Sequence, residues 1–209
     1  MSKPRVLVAD DHRIVAEGLR RLLEPEYEVV GVVTDGRELV AAGKEVRPDA
    51  IVADVAMPSL NGIEAAVQLR EAGVRAKVIF LTMHRDVAYA RRALEAGASG
   101  FVLKHSAPSE LLTALREALR GRTYVTPMIA GEVFQSYQAG DSEPQRLTPR
   151  QREVLQLFAE GRSAKEVAAV LKISPRTAEF HKARILEALG IRTTAGLVQY
   201  AIRHGIVPA

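Results

Sequence analysis

The sequence predicts a doubly wound α/β domain with a five-stranded parallel sheet, followed by a small all-α domain of four helices. Three observations predict it. Short aliphatic runs without polar alternation recur five times before residue 122, as strands covered on both faces require. A stretch of helical period follows each run. Beyond residue 146 the strand pattern stops, and Ser- or Thr-led, Pro-opened helix starts replace it.

The five runs are Val6–Ala9, Tyr27–Val33, Ala50–Ala53, Val78–Leu81 and Phe101–Leu103. The helices expected between and after them are Arg13–Leu23, Arg37–Val46, Gly62–Glu71, Asp86–Ala96 and Pro108–Arg120. The first places Ile14, Leu19 and Leu22 near helical spacing; the last places Leu111, Leu112, Leu115 and Leu119 on one stripe. Right-handed crossovers then put helices on both faces of the sheet. This first domain is assigned to residues 1–121. Residues 122–146 carry two Pro, two Gly and several polar residues, and read as a linker with a helix expected around Met128–Tyr137.

Residues 147–209 form the second domain. Thr148 is the expected N-cap of its first helix, with Pro149 at N1 and Gln151 completing a capping box. Ser163 and Glu166 form a second box. Ser174-Pro175 opens a third helix that ends at Gly190, and a fourth spans about Thr194–His204.

Composition narrows the chemistry. The chain has 209 residues, 47% of them apolar and 5% aromatic, with no Trp and no Cys. The core is therefore aliphatic, and disulfides and thiolate metal sites are excluded. The N-terminal apolar run meets Asp10 too soon for a signal peptide or a membrane span, so a soluble, intracellular protein is expected. The net charge of +4 is uneven: residues 1–122 hold 18 basic and 17 acidic residues, and residues 145–209 hold 11 and 5. The segment between carries Glu132, Asp141 and Glu143 and nothing basic. The basic end suits a polyanion.

In an open α/β sheet, sites form at the carboxyl ends of the strands. That edge would gather Asp10 and Asp11 after the first strand, Asp54 after the third, Thr82 after the fourth and Lys104 after the fifth. Converging carboxylates repel unless a cation neutralises them. Oxygen ligands with retained waters suit Mg²⁺, held by Asp10 or Asp11, Asp54 and the Ala56 carbonyl. Asp54 could then act as a carboxylate nucleophile toward a phosphoryl group, with Lys104 neutralising charge and Thr82 donating a hydrogen bond. Singly, each residue reads as a cap or a solvated charge; together, in this order, they do not.

The segments VADDH (8–12), DVAMPSLNG (54–62), FLTMH (80–84) and FVLK (101–104) resemble the receiver domain of two-component response regulators, with strand order 2-1-3-4-5. The resemblance implies that Asp10, Asp11, Asp54 and Ala56 hold Mg²⁺, that Asp54 is the phosphoacceptor, that Thr82 and Lys104 sense the phosphoryl group, and that Phe101 is the aromatic switch position. His105 follows Lys104 where many receivers have Pro. His84 is expected to overhang the phosphoryl group, and Asp11 to cap the first helix.

Residues 147–207 resemble a LuxR-type helix-turn-helix of the NarL/FixJ class, carried by LTPRQREVLQLFAEGRSAKEVAAVLKISPRTAEFHKARILEALGI. The third helix would enter the major groove. Its exposed candidates are Arg176, Thr177, Glu179, Phe180, Lys182, Ala183 and Arg184; Ser174 and Lys165 join them as phosphate contacts, and Ile185, Leu186 and Leu189 pack inward. Glu179 replaces the Lys of many members and could accept from cytosine N4. Leu197, Val198 and Ala201 on the last helix are implied dimer contacts.

The function implied is a cytoplasmic, phosphorylation-switched transcription factor, homodimeric when phosphorylated. Its implied partners are a sensor histidine kinase, double-stranded DNA with an inverted repeat, and RNA polymerase, with no membrane. Two rivals are a phosphatase of the haloacid-dehalogenase type, which would need Asp-x-Asp after the first strand, and a transcription factor indifferent to phosphorylation.

Overall fold

The computed structural model describes residues 2–83, 85, 87–106, 108–138, 147–204 and 206–207. The chain divides into two compact units, one of residues 1–57 with 61–141, the other of residues 142–209 with 58–60.

The first unit alternates β1 (Arg5–Ala9), α1 (Arg13–Leu23), β2 (Glu28–Val33), α2 (Gly36–Val46), β3 (Ala50–Ala53), α3 (Gly62–Glu71), β4 (Lys77–Thr82), α4 (Val87–Glu95), β5 (Gly100–Leu103) and α5 (Pro108–Leu119). All strand pairs are parallel. Among the described residues the sheet has six strands rather than five, in the order β2-β1-β3-β4-β5-β6. The added strand, β6 (Tyr124–Val125), and a helix, α6 (Pro127–Gln138), both lie in the stretch expected to be a linker. The helix matches the expectation for Met128–Tyr137. The strand escapes sequence reading because two residues carry no period. It is fixed by register with β5 and by Thr126, whose amide donates to the Phe101 carbonyl at 3.0 Å and whose Oγ1 accepts from the Leu103 amide at 3.2 Å.

Side chains alternate across the sheet. Val6, Val8, Ala50, Val52, Ile79, Leu81 and Val102 pack with Leu19 and Leu23 of α1 and Leu111, Ala114, Leu115 and Ala118 of α5. Leu7, Ile51, Phe80 and Phe101 alternate with them and are fully buried. Two details depart from expectation. Ile14 is 90% exposed, and α1 buries the expected Leu19 together with Ala16 and Leu23. The strand β2 is half-exposed, because it forms the edge of the sheet among the described residues.

The second unit contains α7 (Pro149–Ala159), α8 (Ala164–Leu171), α9 (Pro175–Leu189) and α10 (Thr194–Arg203). Both expected capping boxes form, Thr148 with Gln151 and Ser163 with Glu166. Ser174 accepts from the Thr177 amide at 3.0 Å to start α9, and Gly190, at φ +67°, ends it in the left-handed region that favours glycine. The helices close around Val154, Leu155, Leu157, Val167, Ala178, Ile185, Leu197 and Ala201.

Candidate functional site

Parallel pairing brings the acidic residues together. The β1–β3 ladder runs one step beyond the strands, with the Asp54 amide donating to the Ala9 carbonyl at 2.8 Å. The β4–β5 ladder does the same: the Lys104 amide donates to the Thr82 carbonyl at 2.8 Å. The Asp10 amide donates to the Val33 carbonyl at 3.0 Å. Asp10, Asp54, Thr82 and Lys104 thus leave their strands at the same edge.

Lys104 Nζ lies 2.6 Å from Asp54 Oδ2 and 2.7 Å from Asp10 Oδ2. Asp10, Asp54 and Thr82 are buried. The Ala56 amide donates to Asp54 Oδ1 at 3.2 Å, which aims the carboxylate. Burial raises the Asp54 pKa above 3.8; Lys104 opposes the rise, and Asp10 adds to it. For Lys104, burial acts downward, but Asp54 and Asp10 outweigh it and the ammonium is held above 10.5. Two buried carboxylates thus share the Lys104 ammonium, and the site carries surplus negative charge.

One ligand atom each from Asp10, Asp11, His12 and Asp54 lies within 4.8 Å of the others. Asp11 Oδ1 is buried without a hydrogen bond and faces His12 Nδ1 at 2.8 Å. Carboxylate oxygens from several segments and surplus negative charge fit a hard divalent cation. The cap of α1 differs from expectation. His12 is the N-cap, and its amide donates to Asp10 Oδ1 at 3.0 Å, which leaves Asp11 without a capping role. Phe101 is wholly buried in β5. His84 lies outside the described residues.

Gly62 closes the DVAMPSLNG motif with no chemistry of its own, yet the site depends on it. A Cβ there would stand 2.1 Å from the Asp54 carbonyl oxygen. Its amide donates to the Val55 carbonyl at 2.9 Å, and Asn61 Oδ1 caps α3 on the Glu64 amide at 2.9 Å. The start of α3 therefore presses against the backbone of Asp54.

In the second unit, α9 exposes Arg176, Glu179, Phe180, Ala183, Arg184 and Glu187 along one face, the spacing of one helical stripe. Thr177 is half-buried beside Ser174, with 2.8 Å between their hydroxyls. Lys165 on α8 is exposed. Arg184 pairs with Glu187 at 2.9 Å, and Lys182 is half-buried with its ammonium 4.7 Å from the Phe158 ring centroid. Lys182, expected among the exposed cations, is turned toward α7 by the fold. Leu197 and Ala201 are wholly buried in the domain's own core, so of the three expected dimer contacts only Val198 keeps any surface.

The sequence matches the response regulator receiver domain family over residues 6–116 and the luxR family of bacterial regulatory proteins over residues 145–201. It is 36% identical over 207 residues to the transcriptional regulatory protein MctR of Rhizobium johnstonii, spanning 98% of this chain and 96% of that one. It is 34% identical over 214 residues to the oxygen regulatory protein NreC of Staphylococcus aureus, at 97% and 99% coverage. Its fold is similar to that of RcsB from Salmonella enterica serovar Typhimurium, solved bound to a promoter in the presence of the phosphomimetic BeF3⁻. That likeness has a TM-score of 0.66 and 29% identity, over 95% of this chain and 98% of RcsB. The chain belongs to the response regulators that join a receiver domain to a LuxR-type DNA-binding domain. These are transcriptional regulators. Among the described residues, no helix is long and apolar enough to cross a membrane.

Proposed function

We propose that Asp54 accepts a phosphoryl group from the phosphohistidine of a sensor kinase, or from a small phosphodonor. The bond from donor to phosphorus breaks as one forms to an Asp54 oxygen. The observation that carries this reading is the Lys104 ammonium held at once by Asp54 and Asp10 at the carboxyl edge of the sheet. Bound Mg²⁺, held by Asp10, Asp11, Asp54 and the Ala56 carbonyl, would supply the remaining positive charge for the phosphoryl oxygens. Once Asp54 is modified, Lys104 exchanges its carboxylate partner for a phosphoryl oxygen, and the Thr82 hydroxyl donates to another. Phe101, packed in the strand that carries Lys104, follows that rearrangement.

The receiver acts as a switch and catalyses only its own phosphorylation and dephosphorylation. Its output is the second unit. α9 reads DNA in the major groove, with Ser174, Arg176, Thr177, Glu179 and Arg184 presented to it and Lys165 on the flanking backbone. Phosphorylation favours a homodimer on an inverted-repeat operator in the cytoplasm, where RNA polymerase is a further partner. Val198, the one of the three expected α10 contacts that keeps surface, supports a contact with a second copy.

The test is to treat the full chain with a small phosphodonor and Mg²⁺ and to locate the label by mass spectrometry. Modification at Asp54 that is lost in Asp54→Asn and on chelation of the metal is expected. Label retained by Asp54→Asn would sink the proposal.

A further inference from the structure

The aromatics of the second unit are treated unequally. Phe158 is 4% exposed and sits in the core, whereas Phe180 is 61% exposed on α9. An exposed phenyl ring is apolar surface that a partner can bury. The face itself indicates what kind. Phe180 stands between Arg176 and Arg184, one turn to each side, on a domain whose residues 145–209 hold 11 basic residues against 5 acidic. Ala183, three residues on, is also exposed. A ring edge and a methyl group, bordered by guanidinium groups, form an apolar patch within a cationic surface. Beside it the Glu179 carboxylate can accept but not donate.

In the major groove the apolar feature that marks a base is the 5-methyl group of thymine, which Phe and Ala contact. The flanking arginines suit phosphates on either side. The position within the helix agrees, because a recognition helix reads bases from its N-terminal part. Phe180 lies in the second turn of a helix that starts at Pro175.

We infer that Phe180, with Ala183, is a specificity-determining residue that reads a thymine methyl group in the operator. This rests on α9 being the base-reading helix. The adjacent pyrimidine follows from Glu179: its carboxylate accepts from the N4 amino group of cytosine.

The test begins with the full chain, treated with phosphodonor and Mg²⁺, selecting duplexes from a random library. Each thymine of the enriched site is then replaced singly by uracil, which removes the methyl group and leaves the hydrogen-bonding edge intact. One thymine in each half-site is expected to weaken binding by about fourfold when replaced, the scale of one buried methyl group. Phe180→Ala should lose that penalty at that thymine and retain the discrimination at other base pairs. Phe180→Leu, which keeps an apolar side chain, should retain part of the penalty. Phe180 is exposed, so these variants should fold; circular dichroism checks it. Indifference of the parent protein to uracil at every position would overturn the inference while leaving DNA recognition by α9 standing. So would an equal loss of affinity by Phe180→Ala on thymine and uracil duplexes, which would instead mark Phe180 as a contact between copies. Failure to enrich any sequence would overturn the reading of α9 and this inference with it.

Discussion

Asp54 is held in a state that invites a cation. Its carboxyl pKa is raised first by burial, with Asp10 adding to the effect and Lys104 opposing it. A carboxyl group raised in the folded state favours the protonated form of the fold. Its effect on stability is therefore absent well below 3.8 and becomes unfavourable as pH rises from there through the raised value. Lys104 has the opposite sense: raised above 10.5, it contributes stability below that value and loses it above. Mg²⁺ needs the ionised Asp54, so proton and metal compete for it. The rise in unfolding temperature on saturation with Mg²⁺ should be larger at about pH 7.5 than at about pH 5. Equal gains in a thermal melt would contradict this competition between proton and metal. Lys104→Ala separates the two cations: it removes the competitor, so Mg²⁺ should bind several-fold more tightly by calorimetry. The switch itself should then be lost, and DNA affinity should no longer respond to phosphodonor.

At the scale of elements, helix starts do the positioning. Gly62 lets α3 approach the Asp54 carbonyl oxygen more closely than any Cβ allows. Gly62→Ala should displace the backbone of Asp54 and slow its phosphorylation by at least about tenfold, well beyond the effect of ordinary helix propensity. A rate of labelling equal to the parent's would remove Gly62 from the site. The capping boxes of the second unit act more locally. Thr148→Ala removes an acceptor for the Gln151 amide and should lower stability by about 1 kcal/mol in denaturant unfolding. These starts were legible because Ser, Thr and Pro at fixed spacing state their own geometry. So were β3 and the acidic edge, since short unbroken Ala-Ile-Val runs suit strands buried on both faces, and strand ends in this fold share one edge. What escaped detection depends on partners far away in sequence. Lys182 looks like any solvent-facing cation until the fold places Phe158 below it. Leu197 and Ala201 look like an interface until the fold packs α10 against α7 and encloses them in the core. β6 exists through its pairing with β5 and its packing on α5, and the cap passes from Asp11 to His12, whose amide meets the Asp10 carboxylate.

For the whole molecule, the relevant quantity is charge distributed by domain. The first 122 residues are nearly balanced, whereas residues 145–209 carry 11 basic against 5 acidic residues. Affinity for DNA should therefore fall steeply with salt, and the slope should count the phosphates met by the second unit. Lys165, Arg176 and Arg184 are three candidate phosphate partners per chain, hence six per dimer and a slope of log affinity against log salt near −5, at about −0.9 per phosphate. The ion pair of Arg184 with Glu187 does not remove it from this set, because exposed pairs of that kind are worth under about 1 kcal/mol. Arg176→Ala should reduce the slope by about 2 in a dimer, because each chain then meets one phosphate fewer. Lys182→Ala is the informative contrast. Its ammonium lies over the Phe158 ring, so the variant should lose about 0.5–1 kcal/mol of stability and leave the salt slope unchanged. A reduced slope with unchanged stability would return Lys182 to the DNA-facing set. Phosphodonor with Mg²⁺ should raise affinity without altering the slope measured per bound dimer, since phosphorylation changes how much protein is competent to bind and not which cations meet the phosphates.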